Sequence, residues 1–218
     1  MNGQASRAVA AEPEIRQDDN SGAGKTPGSE AQASSTGKST MSKSKTKPHV
    51  LLITGAPGIG KTTVIRRTAD RLERGGLRGF YTEEIREKGE RRGFRLISFG
   101  GEAKTMADVD FPKSHRVGKY GVDVKAVDDA AQLLRTDPNA RIFLVDEIGK
   151  MECLSERFVA AMRALLSGTT PTVATVGARG GDFIAEVKRA PQCELWEVTH
   201  GNRDELPARI LAWLAERT

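Results

Sequence analysis

Residues 49–63 read HVLLITGAPGIGKTT. A six-residue apolar run of strand length breaks into a glycine-rich loop, and the loop opens an amphipathic stretch. Gly55, Gly60, Lys61 and Thr62 satisfy the spacing GxxxxGK[ST], the phosphate loop or Walker A motif. The spacing has a physical basis. Gly55 permits a tight exit from the strand, and Gly58 and Gly60 let backbone N–H groups approach phosphate oxygens without a side chain between them. Lys61 supplies a point charge for β and γ phosphates. Thr62 places a hydroxyl where Mg²⁺ would sit, and the N-terminus of the helix adds its own positive end. The whole span Gly55, Ala56, Pro57, Gly58, Ile59, Gly60, Lys61, Thr62 and Thr63 is therefore expected to hold a nucleotide.

The letters alone do not make a loop. GK followed by Ser or Thr recurs at Gly24-Lys25-Thr26 and at Gly37-Lys38-Ser39, but Asp19 and Gln32 stand where the first glycine belongs. No strand precedes either copy and no helix follows.

After the loop, Val64, Ile65, Thr68, Ala69 and Leu72 recur at helical spacing, and Gly75 and Gly76 are expected to end that helix. GFYTEEIR (79–86) and GFRLISF (93–99) flank a charged connector and read as a strand pair. Helical patterns over 126–135, 155–168, 182–189 and 203–217 alternate with strand patterns over 141–147, 170–176 and 193–198. Ser155 is a plausible N-cap and Gly168 a stop. This order predicts an α/β protein with the three-layer phosphate-loop NTPase fold, a mostly parallel sheet with helices on both faces. Such sheets take ligands beyond the carboxyl ends of their strands.

A triphosphate loop needs a metal holder, and RIFLVDE ends a strand in two acids, the Walker B pattern. Asp146 is expected to hold Mg²⁺ together with Thr62. Glu147 beside it is expected to orient and deprotonate an attacking water, with Lys61 as its catalytic companion. The plainer reading of the two acids is a charged cap on a strand end. Arg179 fits either a cis arginine finger or a solvated loop cation, and Lys119, Lys150 and Arg203 present the same choice. His115 and His200 lack metal-ligand spacing and read as loop residues.

Composition bounds the rest. The 218 residues, 38% of them hydrophobic, suffice for one core, and 34 Lys+Arg against 29 Asp+Glu is near balance. Residues 1–48 hold almost no aliphatic side chain and no periodicity, and are expected to be a disordered tail before a domain at 49–218. Acids at Glu12, Glu14, Asp18, Asp19 and Glu30 argue against a transit peptide. The basic end of the tail leaves nucleic-acid contact open without supporting it. Cys153 and Cys193 read as separate buried thiols. With no membrane-spanning run, a soluble, intracellular, cytoplasmic monomer is expected.

The core from about 49 to 217 resembles the nucleoside-triphosphatase family known from thermophiles and, in vertebrates, as the cancer-related nucleoside triphosphatase. The resemblance rests on ITGAPGIGKTT, GFYTEEIRE with RRGFRLISF, RVGKYGVDV, LVDEIGKME and VTHGNRDELP. It implies Mg²⁺-dependent hydrolysis of ATP, GTP and other nucleoside triphosphates with broad base tolerance. By the same resemblance Gly55 to Thr62 form the nucleotide loop, and Asp146 and Glu147 the acidic pair. Two departures stand out: the tail has no counterpart in the compact family pattern, and GARGGD follows TVATV here. A nucleotide or small-molecule kinase and a slow, RNA-associated nucleotide switch are the competing functions.

Overall fold

A computed structural model describes residues 47–135 and 137–218. The expectations for the tail up to residue 46, with its two GK copies, lie outside the described residues. Strand β1 (Val50–Thr54) leads through the loop to α1 (Lys61–Ala69), then to β2 (Leu77–Glu87), β3 (Glu90–Ser98), β4 (Ala103–Asp108), β5 (Arg116–Val117) and β6 (Tyr120–Val122). The chain continues through α2 (Val124–Ala131), β7 (Ile142–Ile148), α3 (Glu156–Ser167), β8 (Thr172–Val176), α4 (Asp182–Arg189), β9 (Cys193–Glu197) and α5 (Leu206–Ala215).

These strands form one sheet in the order β5-β6-β4-β3-β2-β7-β8-β1-β9. The pairs β2·β7, β7·β8, β8·β1 and β1·β9 are parallel, while the pairs from β2 through β3, β4, β6 and β5 are antiparallel. The parallel half carries the loop and the acids, and the antiparallel half is a flank added to one edge. Sequence patterning finds the β2–β3 pair but not β4 to β6; β5 and β6, at two and three residues, are too short for alternation to register, and β4 (AKTMAD) carries little apolar patterning. RVGKYGVDV is now explained locally. It forms the β5–β6 hairpin with Gly118 at φ 59, and Asp123 then caps α2 by accepting the Ala126 N–H at 3.2 Å.

Both sheet faces are covered, as near-continuous apolar strands require. Val50 and Leu52 of β1 join one core with α2, α3 and α4, while Leu51 and Ile53 join the other with α1 and α5. Helix boundaries shift from the sequence pattern: α2 spans Val124–Ala131 where 126–135 is expected, and two other shifts have a clear local cause. The α1 ladder tightens at Arg71 and Leu72, whose N–H groups bond three residues back to Thr68 and Ala69, so the helix stops before Gly75. Pro207, which tolerates only the first turn of a helix, fixes the start of α5 at Leu206 instead of Arg203.

Ser155 caps α3. Its fully buried hydroxyl accepts the Phe158 N–H at 2.9 Å and donates to Asp128 at 2.5 Å, tying the helix start to α2. Ser155→Ala removes both bonds and is expected to destabilise the fold by about 1–2 kcal/mol in urea denaturation. An unchanged midpoint would contradict this assignment.

Candidate functional site

The site is built at the carboxyl ends of β1, β7 and β8. Between β1 and α1, Gly58 and Gly60 adopt φ 77 and φ 110, a region that side-chain-bearing residues avoid. A methyl group added at Gly58 would meet nothing within 4 Å, so the concave side of the loop is open. Lys61 reaches across the loop and donates to the Gly55 carbonyl at 3.1 Å, with only 11% of its side chain exposed. The ammonium group is thereby held over the hollow, at the N-terminus of α1.

Asp146 enters from β7 and is 1% exposed. Its Oδ2 accepts from the Thr62 hydroxyl at 2.7 Å and from the Thr82 hydroxyl and N–H at 3.1 and 3.3 Å. Its Oδ1 accepts from the Thr175 hydroxyl at 2.6 Å. Four hydrogen bonds from two strands and a helix keep this buried carboxyl group in place. Sheet register delivers two of the donors. Val145 pairs with Ala174 on β8 and with Phe80 on β2; Thr175 directly follows Ala174, while Thr82 lies two residues past Phe80 and reaches back to Asp146.

Glu147 lies in a slot between two glycines. Its Oε1 comes 2.9 Å from the position a Cβ would take on Gly149 and 3.8 Å from that on Gly177. Its Oε2 is 3.9 Å from the Lys61 ammonium. Burial pushes the Glu147 carboxyl above the ordinary range; Lys61 opposes that shift, Asp146 adds to it, and Lys188 opposes it. A carboxylate with a raised pKa facing a cation across an open cavity has the chemistry of a general base.

Gly58, Gly60, Lys61, Thr62, Thr82 and Glu147 border one cavity of about 920 Å³, lined also by Glu84, Arg91, Phe94, Lys150 and Arg179, while Asp146 and Thr175 are buried behind them. A family model described as NTPase matches residues 50–211. The chain belongs to the NTPase family. The nucleoside-triphosphatase THEP1 of Thermotoga sp. (strain RQ2) is 37% identical over 166 residues, which cover 75% of this chain and 94% of that protein. The human cancer-related nucleoside-triphosphatase is 35% identical over 175 residues, covering 72% of this chain and 92% of the human one. The crystal structure of THEP1 from the hyperthermophile Aquifex aeolicus superposes with a TM-score of 0.69 at 35% identity, over 76% of this chain and 98% of that one. The solution structure of the human protein gives 0.67 at 31% identity, over 78% and 99%.

The four undecided cations of this NTPase-family chain separate by position. Lys150 and Arg179 are exposed but line the cavity. Lys119 lies over the Tyr120 ring at 5.6 Å, on the flank. Arg203 passes 3.9 Å from the position a Cβ would take on Gly60, beside the loop. Lys188 donates to the Gly177 and Ala178 carbonyls at 2.7 and 3.0 Å and so fastens the loop that carries Arg179. His115 and His200 are exposed loop residues, and no group of three His, Cys, Asp or Glu suited to a metal occurs among the described residues. Cys153 and Cys193 are free and only half-buried, with burial pushing their thiols up to about 12 and about 11. No helix among the described residues is long and apolar enough to cross a membrane.

Sequence reading missed Thr82, Thr175 and Glu152. The first two carry no motif and arrive by register. Glu152, the last letter of DEIGKME, is 4% exposed, and burial pushes its carboxyl up to about 8. It has no lysine or arginine partner among the described residues, and no sequence signal marks it.

Proposed function

We propose that this chain hydrolyses nucleoside triphosphates to the diphosphate and phosphate, using Mg²⁺ and with little base preference. The observation that carries the reading is the convergence of Lys61, Thr62 and Glu147 on one cavity at the sheet's carboxyl edge, with the buried Asp146 hydrogen-bonded to Thr62 directly behind it. The names of the relatives, nucleoside-triphosphatases, support the same reaction.

The donor set fits Mg²⁺: Thr62 Oγ1 and Asp146 Oδ2 are hard oxygens 2.7 Å apart at a helix N-terminus. Asp146 Oδ2 already receives three hydrogen bonds. Thr62 and Asp146 are the residues that would hold Mg²⁺ here. The chemistry that Mg²⁺ supplies when bound is neutralisation of charge on the β and γ phosphate oxygens.

In the proposed reaction the loop from Gly55 to Thr63 binds the phosphates through its N–H groups, and Lys61 balances charge on the γ-phosphoryl oxygens. Glu147 accepts a hydrogen bond from the attacking water and takes its proton as the water oxygen bonds to the γ phosphorus. The bond from that phosphorus to the bridging oxygen breaks, and the diphosphate leaves. Base tolerance is supported by Asn202, whose side chain is engaged within its own loop by Thr199 N–H at 2.8 Å and the Glu197 carbonyl at 2.9 Å.

One observation favours a second reading. The cavity runs on past Glu147 to Arg91, Phe94, Met106 and Val117 on the flank, room that a small phosphoryl acceptor would use. A phosphate-release panel with ATP, GTP, CTP and UTP, with Mg²⁺ and with EDTA, separates the two. Similar release from all four, abolished by EDTA, is expected. Release that begins only when an acceptor alcohol is added would replace hydrolysis with a kinase reaction.

A further inference from the structure

Five cations line the cavity, and three of them are already engaged. Lys61 is held by the Gly55 carbonyl and faces Glu147 at 3.9 Å, Arg66 lies 3.7 Å from Glu83, and Arg91 pairs with Glu84. Lys150 and Arg179 have no carboxylate partner among the described residues. They are the charges left over for a polyanion, and they differ in how the backbone beneath them is held.

Arg179 stands in the turn between β8 and α4. In the sheet β8 lies between β7 and β1, all three parallel, so this turn leaves the same edge between the acids that end β7 and the phosphate loop that follows β1. The turn is fixed on both sides of the arginine. Before it, the Gly177 N–H donates to the Ile148 carbonyl at 3.2 Å, and Lys188 reaches from α4 to donate to the Gly177 and Ala178 carbonyls at 2.7 and 3.0 Å. After it, Gly180 packs so closely on α4 that a Cβ there would stand 2.1 Å from Ile184 Cδ1. Lys188 is half-buried, and its ammonium is directed to two successive carbonyls instead of to an acid, an arrangement that fixes backbone. The Arg179 guanidinium, by contrast, donates to nothing among the described residues. At Lys150 no side chain from another element ties the turn; its bonds, such as the Cys153 N–H to the Gly149 carbonyl at 3.0 Å, are local.

We propose that Arg179 is a catalytic residue whose guanidinium donates to the γ-phosphoryl oxygens as charge moves through the transition state, and that Lys188 is the positioning residue that fixes the turn for it. The proposal rests on the hydrolase reading above. As the water oxygen bonds to the γ phosphorus and the bond to the bridging oxygen breaks, charge shifts among the oxygens around that phosphorus. A planar guanidinium carries paired donors that match two such oxygens at once, which an ammonium does not. A donor whose backbone is already in place acts there with little reorganisation.

Arg179→Ala removes an exposed side chain and leaves the Lys188 clamp intact. Tm and binding of a fluorescent ADP analogue are expected to stay near wild type, while kcat falls by about a hundredfold or more. The second readout needs no turnover: aluminium fluoride with ADP and Mg²⁺ mimics the phosphoryl group in transit, and wild type is expected to form that complex where Arg179→Ala does not. Lys188→Met keeps the aliphatic stem without the donors and is expected to lower kcat about tenfold at unchanged KM, with Lys188→Arg restoring it to within about threefold. In an Arg179→Ala background Lys188→Met is expected to cost nothing further. The assignment is overturned by wild-type kcat in Arg179→Ala, by an aluminium fluoride complex as stable in that variant as in wild type, by the hundredfold loss appearing in Lys150→Ala instead, or by the same Lys188→Met loss with and without Arg179. Should Lys188→Met fail to fold, Arg179→Ala decides alone. Failure of the underlying reading is distinguishable, since wild-type protein would then release no phosphate, or Glu147→Gln would match it.

Discussion

Lys61→Ala is expected to reduce phosphate release from ATP and GTP by at least about a hundredfold to a thousandfold, the loss typical of one electrostatic donor at a developing charge. The side chain is placed for that role before any ligand arrives. It is mostly enclosed, it is clamped to the Gly55 carbonyl at 3.1 Å, and its charge faces Glu147 at 3.9 Å. Little reorganisation is left to be done when the phosphates enter, which is the condition under which a fixed charge is most effective. Truncation should act on binding as well as rate, because the same ammonium contacts both ground-state and transition-state oxygens. Loss of the stabilisation that bound nucleotide confers on Tm, alongside loss of phosphate release, is the expected pair of results. Unaltered release by the variant would remove Lys61 from the site.

What the sequence discloses and what it hides divides along a physical line. The loop from Gly55 to Thr63 is legible because all of its chemistry is contiguous, and strand, turn and helix signals agree on it. Ser155 is legible for the same reason: a cap and the N–H it satisfies lie three residues apart. Asp146 is legible as an acid at a strand end, but the three threonine hydroxyls and the one N–H that hold it are not. Thr62, Thr82 and Thr175 stand 84, 64 and 29 residues from it, and only the parallel register of β2, β7 and β8 brings the last two alongside. The antiparallel flank is hidden because β5 and β6 are two and three residues long, too short for any periodicity. Glu152 is hidden for another reason: a glutamate between a methionine and a cysteine reads as surface, and its burial follows from the turn at Gly149, which only the fold reveals.

Glu147→Gln is expected to lower kcat by between about a hundredfold and ten-thousandfold, the range for removing a general base, while nucleotide binding persists. Glutamine keeps the shape of the slot between Gly149 and Gly177 and loses the ability to take a proton. This separates it from Lys61→Ala, where binding and rate fall together. The pH profile offers a sharper signature. Burial raises the Glu147 carboxyl above its ordinary value, and the base works only when deprotonated. Activity should therefore be lost as pH falls through that raised pKa, so the acid limb of kcat/KM lies above the usual carboxylate range. Lys61 opposes the shift, which predicts the direction of a second change: a Lys61 variant with residual activity should show its acid limb at still higher pH, since the cation that favours the charged carboxyl is gone. In Glu147→Gln the limb should disappear. A profile identical in wild type and Glu147→Gln would place the proton acceptor elsewhere in the cavity.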